Sequence, residues 1–228
     1  MTIAHDDTLL DTWLRGRRSC RAFTPDAVPR ATIERILTLA QRTASWNNVQ
    51  PWEVTIASGA ACGRLRAALV ERAESDLPAK PDFAWPAAYR DQYLARRREC
   101  GFQLYDAVGV VRGDKAAYRQ QSLQNFHLFG APHVAIVTSP ADLGVYGAID
   151  CGGYVSTFML AAQANGVATI AQAALASYPE VLREQLNLSE DRKVVCAVSF
   201  GFEDATHASA TYRTSRAPLS EVVTWQDE

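Results

Sequence analysis

The sequence predicts an α+β domain in which helices flank a mixed β-sheet. Helical repeats and short strand-like runs both recur along the chain, yet they do not alternate strictly as β-α-β units would require. The totals suit one packed body: 228 residues, 48% hydrophobic and 21% charged, with no internal repeat or low-complexity tract. A single domain over residues 1–228 is therefore expected.

Residues 7–16 place Leu9, Leu10, Trp13 and Leu14 at helical spacing before Gly16. An arginine-rich piece then runs extended to Phe23, and Pro25 and Pro29 bracket a turn. Ile33, Ile36, Leu37 and Ala40 share one helical face, and Trp52–Ile56 alternates apolar and polar side chains like a half-buried strand. Ser58 is placed to cap a helix carrying Ala61, Leu65, Ala68 and Leu69. Residues 76–86 hold three prolines and form an irregular excursion. It continues into a long helix through Tyr89, Tyr93, Cys100 and Leu104, whose solvated face carries Arg96, Arg97, Arg98 and Glu99.

A further helix is expected over residues 114–128 and a strand over His133–Thr138. Residues 148–165 are apolar on most sides, which predicts a buried helix, ended by the Asn165-Gly166 pair of a left-handed cap. Gly152-Gly153 has no following Lys-Ser/Thr, so close helix packing explains it better than a phosphate loop. Val167–Ala171 reads as a strand, Pro179–Leu186 as a helix opened by proline, and Lys193–Phe200 as a central strand. Beyond Gly201 the chain is polar until Leu219, Val222, Val223 and Trp225, a terminal apolar set that needs a partner surface.

A net charge of −2 gives no general attraction to nucleic acid or to an anionic membrane. No apolar run approaches membrane-spanning length, and the N-terminus lacks the basic and apolar regions of a signal peptide. Five cysteines without a C-x-x-C pair argue for reduced thiols, and the scattered His5, His127, His133 and His207 show no metal-ligand spacing. A soluble cytoplasmic protein is expected.

Against this near-neutral background three segments stand out. Residues 43–52, TASWNNVQPW, place amides, a hydroxyl and two indoles in a loop between a helix and a strand. Planar amides can read the edge of a heteroaromatic ring and indoles offer an apolar face. A turn with Asn-Asn at its entry and Pro51 at its exit accounts for the same composition. Arg17-Arg18-Ser19-Cys20-Arg21 and the late Arg213-Thr214-Ser215-Arg216 supply guanidinium groups, which match phosphate oxygens bidentately.

Taken in chain order, 17–21, 43–52 and 213–216, the three segments resemble the motifs of the nitroreductase family of flavin enzymes over nearly the whole chain. The resemblance implies the nitroreductase fold, an intertwined homodimer with FMN sites at its interface, and a tail (217–228) exchanged between subunits. It matches Arg17, Arg18, Ser19, Arg21 and Arg216 to the phosphate and ribityl contacts, with Arg213 an added candidate because Thr214 stands where some members carry lysine. Ser45, Trp46 and Asn47 match the loop that touches FMN from the neighbouring subunit, and Asn48 and Gln50 its amide pair, with Gln50 also able to fix the loop itself. Gln172 and Ala173 match a bend whose backbone lies near flavin N5, so the chemistry rests on FMN and no catalytic side chain is assigned. Phe126 and Phe129 are candidates to line the opposite face, with core packing as the rival account. The basic run of the 76–105 segment reads first as a solvated helix face, with a substrate lid as the alternative that the resemblance offers.

The implied activity is ping-pong hydride transfer from NADPH or NADH through FMN to a small aromatic acceptor, a nitroaromatic or a quinone. Azoline oxidation, dehalogenation and flavin cleavage occur on the same fold. A flavin-binding or regulatory module without turnover, or a flavin-free scaffold, belongs to a different class.

Overall fold

The computed structural model of the protein describes residues 7–75 and 77–227. His5 and the rest of residues 1–6, Asp76 at the start of the excursion, and Glu228 at the end of the tail lie outside the described residues. The helices are α1 (Thr8–Gly16), α2 (Arg30–Ala40), α3 (Gly59–Glu74), α4 (Asp91–Ala107), α5 (Lys115–Leu123), α6 (Gly144–Ala164) and α7 (Pro179–Leu186). The strands are β1 (Glu53–Ser58), β2 (His133–Pro140), β3 (Ala168–Gln172) and β4 (Arg192–Gly201), in the spatial order β1-β2-β4-β3. Each neighbouring pair is antiparallel. The parallel component is an isolated bridge between Ser19 and Thr169 at the β3 edge.

Strand periodicity sorts the core into two layers. On β2, Val134 and Ile136 pack with Leu65 and Leu69 of α3 and Leu182 of α7, while Ala135 and Val137 pack with Ile33 and Ile36 of α2 and Tyr154 and Phe158 of α6. Both faces of β2 and β4 are covered, which is why their sequences read as nearly continuous apolar runs. Phe200 is fully buried against Phe158, and truncating it to alanine is expected to cost about 3–5 kcal/mol.

Local chemistry sets several element ends. Gly166 takes φ +71° and its N–H bonds Gln163 O, while Val167 N–H bonds Ala162 O, the paired closure of a left-handed cap. Gly147 lets α6 approach β2, because a Cβ there would collide with Ser139 Oγ. Ser58 does precede α3, but its hydroxyl makes no helix cap and lies 2.7 Å from His133 Nδ1. Helix α5 is shorter than expected, since residues 124–130 turn tightly with Leu128 and Phe129 at positive φ. Tyr89 precedes α4 rather than lying on it.

Helix α6 is not buried all round. Val145, Tyr146 and Ile149 are 64%, 54% and 60% exposed on the side facing away from the sheet. Leu9, Leu10 and Leu14 of α1 are exposed as well, so the apolar stripes read in the sequence are real but only partly covered within one chain.

The excursion is fastened at its base. Arg72 donates to the Leu77 and Pro78 carbonyls, Lys80 N–H to Ser177 O, and Asp82 accepts from both Arg183 and Val194 N–H. Helix α4 buries no residue. The tail lies along α4 through Arg96–Glu221 at 2.6 Å and Ser215–Glu99 at 3.1 Å, leaving Leu219, Val222 and Trp225 exposed.

Candidate functional site

Arginines from opposite ends of the chain meet in one cleft of about 850 Å³. Arg15, Arg17, Arg18, Ser19 and Arg21 line one side; Ser209, Tyr212, Arg213, Thr214 and Arg216 line the other. The first wall is extended because α1 stops at Gly16 and the chain then docks on β3, with Cys20 N–H bonding Thr169 O at 2.9 Å. Extended backbone alternates its side chains. Cys20 turns inward and is buried, and Arg18 turns the same way to pair with Glu203. Arg17, Ser19 and Arg21 face the cleft from the other side of the strand, and Arg18 reaches its wall while paired to Glu203.

The charges in the cleft are poorly balanced. Arg15 is engaged by Asp11 at 2.7 Å, and Asp11 is the only carboxylate among the lining residues. Arg21 donates to the Tyr212 hydroxyl and to Ser19 O, and Arg213 and Arg216 donate to nearby tail carbonyls. The Arg17 guanidinium makes no hydrogen bond or ion pair among the described residues, while its backbone N–H bonds Trp13 O at 2.9 Å. Burial, and then the positive charge of Arg216, push its guanidinium below the ordinary arginine value, though it stays charged at neutral pH. Two like charges without an acid between them favour the binding of an anion. Arg18, which also lines the cleft, has its charge matched by Glu203.

The amide-rich loop is built differently. Trp46–Asn48 form a single 3-10 turn, and Asn47, Asn48 and Gln50 all adopt left-handed backbone, with φ of 47°, 57° and 51°. Each such residue costs on the order of 1 kcal/mol, least for asparagine. Side chains compensate. Ser45 Oγ accepts Gln50 N–H at 2.9 Å, Asp150 on α6 accepts Trp46 N–H at 3.2 Å, and the Trp46 and Tyr146 rings meet edge-on at 4.4 Å. Gln50 bonds Gln41 and the Asn48 carbonyl, so its side chain is directed into the loop.

At the end of β3, Gln172 is buried, accepting from Ser199 Oγ and donating to Asn125 O at 2.8 Å, while Ala173 is exposed. Gln172 lies three residue steps beyond the Thr169 bridge, which is about 10 Å of strand. The arginine cleft and this bend therefore lie along one edge. Ser45–Gln50 do not line the cleft. Phe129 is only 6% exposed and packs in the sheet core with Leu128 and Ala131, so packing, not a ligand face, accounts for it. Phe126 is partly buried and stacks on Tyr178 at 5.3 Å.

Sequence reading missed Tyr212, Glu203, Gln41 and Asp150. Tyr212 adjoins the RTSR segment and could have been taken with it. Glu203 and Asp150 act across long sequence separations and carry no local signal.

The family model described as "Nitroreductase family" matches residues 14–202. Nitroreductase NfnB of Mycolicibacterium smegmatis is 37% identical over 91% of this chain and 88% of its own. The 4-nitrobenzoate reductase of a Nocardioides species is 33% identical over 96% and 91%. The crystal structure of the FMN-dependent nitroreductase NfnB from Mycobacterium smegmatis in complex with NADPH superposes with a TM-score of 0.91 at 36% identity, covering 96% of this chain and 98% of that one.

Proposed function

The chain belongs to the nitroreductase family, and from that premise we propose that it is an FMN-dependent oxidoreductase using NADPH or NADH to reduce a nitroaromatic or quinone-type acceptor. The observation that carries this reading is the unmatched charge of Arg17 beside Arg216 in the arginine cleft. The phosphate of FMN suits such a site, since it presents oxygens that several guanidinium forks can share. When bound, FMN would supply the two-electron chemistry that links the nicotinamide to the acceptor in a ping-pong scheme.

The chain's own part is binding and orientation. Arg17, Arg21, Arg213 and Arg216 hold the phosphate with the Ser19 hydroxyl, and the backbone of Gln172 and Ala173 lies beside the reacting ring. Ser45, Trp46, Asn47 and Asn48 approach the ring from a second copy of the chain. A homodimer is supported by the exposed apolar side chains of α1, α6, the loop and the tail, and two-fold pairing is the commonest way to cover such faces. All five cysteines are free thiols, which supports a reducing, cytoplasmic location. Among the described residues no helix is long and apolar enough to cross a membrane.

The purified protein is expected to be yellow, with one FMN per subunit. NADPH or NADH should bleach it rapidly in a stopped-flow instrument, and a nitroaromatic should restore the colour. Protein that stays colourless in excess FMN overturns the proposal.

A further inference from the structure

We infer that Gln41 is a positioning residue that fixes the Ser45–Gln50 loop in the pose in which it meets the flavin. The role toward flavin rests on the function proposed above; the fixing of the loop does not. Gln41 caps the C-terminus of α2 and lies outside all three motifs that mark the family.

The bonds start in the core. Trp52 is 8% exposed, and its indole N–H, which can only donate, goes to Gln41 Oε1 at 3.0 Å. Gln41 Nε2 therefore faces the loop and donates to Gln50 Oε1 at 3.0 Å. Gln50 Nε2 in turn faces the Asn48 carbonyl at 3.1 Å. The direction is imposed from the indole end. Turning Gln41 over would set N–H against N–H at Trp52 and oxygen against oxygen at Gln50. Turning Gln50 over would set its oxygen against Asn48 O. The result is a one-way relay ending on a residue held at φ 57°, between Asn47 and Gln50 at 47° and 51°. Gln50 N–H closes on Ser45 Oγ, so relay and turn clamp the same segment from two sides. With the Gln50 amide engaged by Gln41 and the Asn48 carbonyl, Asn47 and Asn48 supply the exposed side-chain amides left for a ligand.

The test uses the full-length protein and two variants of an exposed residue, neither of which opens a core cavity. Gln41→Leu removes the two relay bonds that Gln41 makes. It should speed hydrogen exchange of loop amides and weaken riboflavin and FMN alike, each by about fivefold for a lost hydrogen bond. Equal loss on both flavins marks a ring-side effect, since riboflavin has no phosphate. In Gln41→Glu, the ionised carboxylate still accepts from Trp52 but cannot donate to Gln50, whereas the protonated acid can do both. Relative to wild type, its loop amides should be protected below about pH 4.3 and exchange faster above it. Loop exchange blind to both variants overturns the inference, and a loosened loop with unchanged riboflavin affinity overturns its role toward flavin. If the wild type binds neither flavin, the functional proposal falls, and the exchange measurement still decides whether Gln41 fixes the loop.

Discussion

The arginine cleft and the amide loop are built on opposite principles. The cleft gathers like charges from residues 15–21 and 213–216 and leaves Arg17 without a partner among the described residues, so it is electrostatically incomplete. The loop spans only residues 43–52, yet its strained backbone is bonded at Ser45, Trp46 and Gln50 before any ligand arrives. One region gains its missing partner on binding; the other is ordered in advance and loses little entropy when it is met. The first should govern how tightly an anionic ligand is held, and the second how its ring is placed.

The sharpest way to break this contrast is to remove the unmatched charges. Arg17→Ala and Arg216→Ala each delete a charge-assisted bond of roughly 1.5–3 kcal/mol, expected to weaken FMN about ten- to a hundredfold. Riboflavin should bind wild type and variants equally in a fluorescence-quenching titration. Equal weakening of riboflavin would make these arginines structural. Arg18→Ala serves as the contrast: it strands Glu203, so it should lower the melting temperature more than it alters flavin affinity.

Whether the two regions serve one site in one chain or across two is decided by mixed dimers. A copy carrying Arg17→Ala with Arg216→Ala, paired with a copy carrying Ser45→Ala with Gln50→Ala, should retain one intact site and about half the FMN, provided the sites form between copies. Two damaged sites, one weakened strongly by the arginine pair and one mildly by the loop pair, would show that both regions act within a single chain.

A smaller effect is expected from the loop alone. Ser45→Ala removes the acceptor of Gln50 N–H, and about 1 kcal/mol, or roughly fivefold, should be lost from FMN and riboflavin together. A loss confined to FMN would blur the distinction between ring and phosphate regions.

The smallest effect concerns the scaffold beneath both. His133 is buried, and burial holds its imidazole below the usual value. Its Nε2 accepts Val28 N–H at 2.9 Å, so Nδ1 carries the proton toward Ser58. A base kept neutral in the folded state stabilises fully above its unfolded pKa of about 6.5. That stability falls as pH drops below this value, because the unfolded chain then binds the proton more readily than the folded one. Urea midpoints of wild type should decline from about pH 7 to 5 more steeply than those of His133→Gln. Parallel curves would show that His133 does not govern this loss.

Much of the fold was legible in the chain. Pro179 opened α7 and Asn165-Gly166 closed α6, because both signals act within one turn of backbone. The arginine segments were legible too, since guanidinium clusters in a near-neutral chain point to an anion before any geometry is known. Ser58 marked the start of α3 but capped nothing, because His133, far along the chain, took its hydroxyl. Phe129 could not be told from a ligand-facing ring, since side-chain type does not say which way a left-handed turn will aim it.

Residue identity and near neighbours were enough to specify the elements, the two core-facing periodicities and the chemical type of the site. The folded arrangement alone established that Glu203 neutralises Arg18, that Arg17 and Arg216 meet without an acid, and that Gln41 links Trp52 to the loop. Charge balance and hydrogen-bond direction are properties of which groups come within about 3 Å of one another. Folding sets that proximity, and separation along the chain does not reveal it.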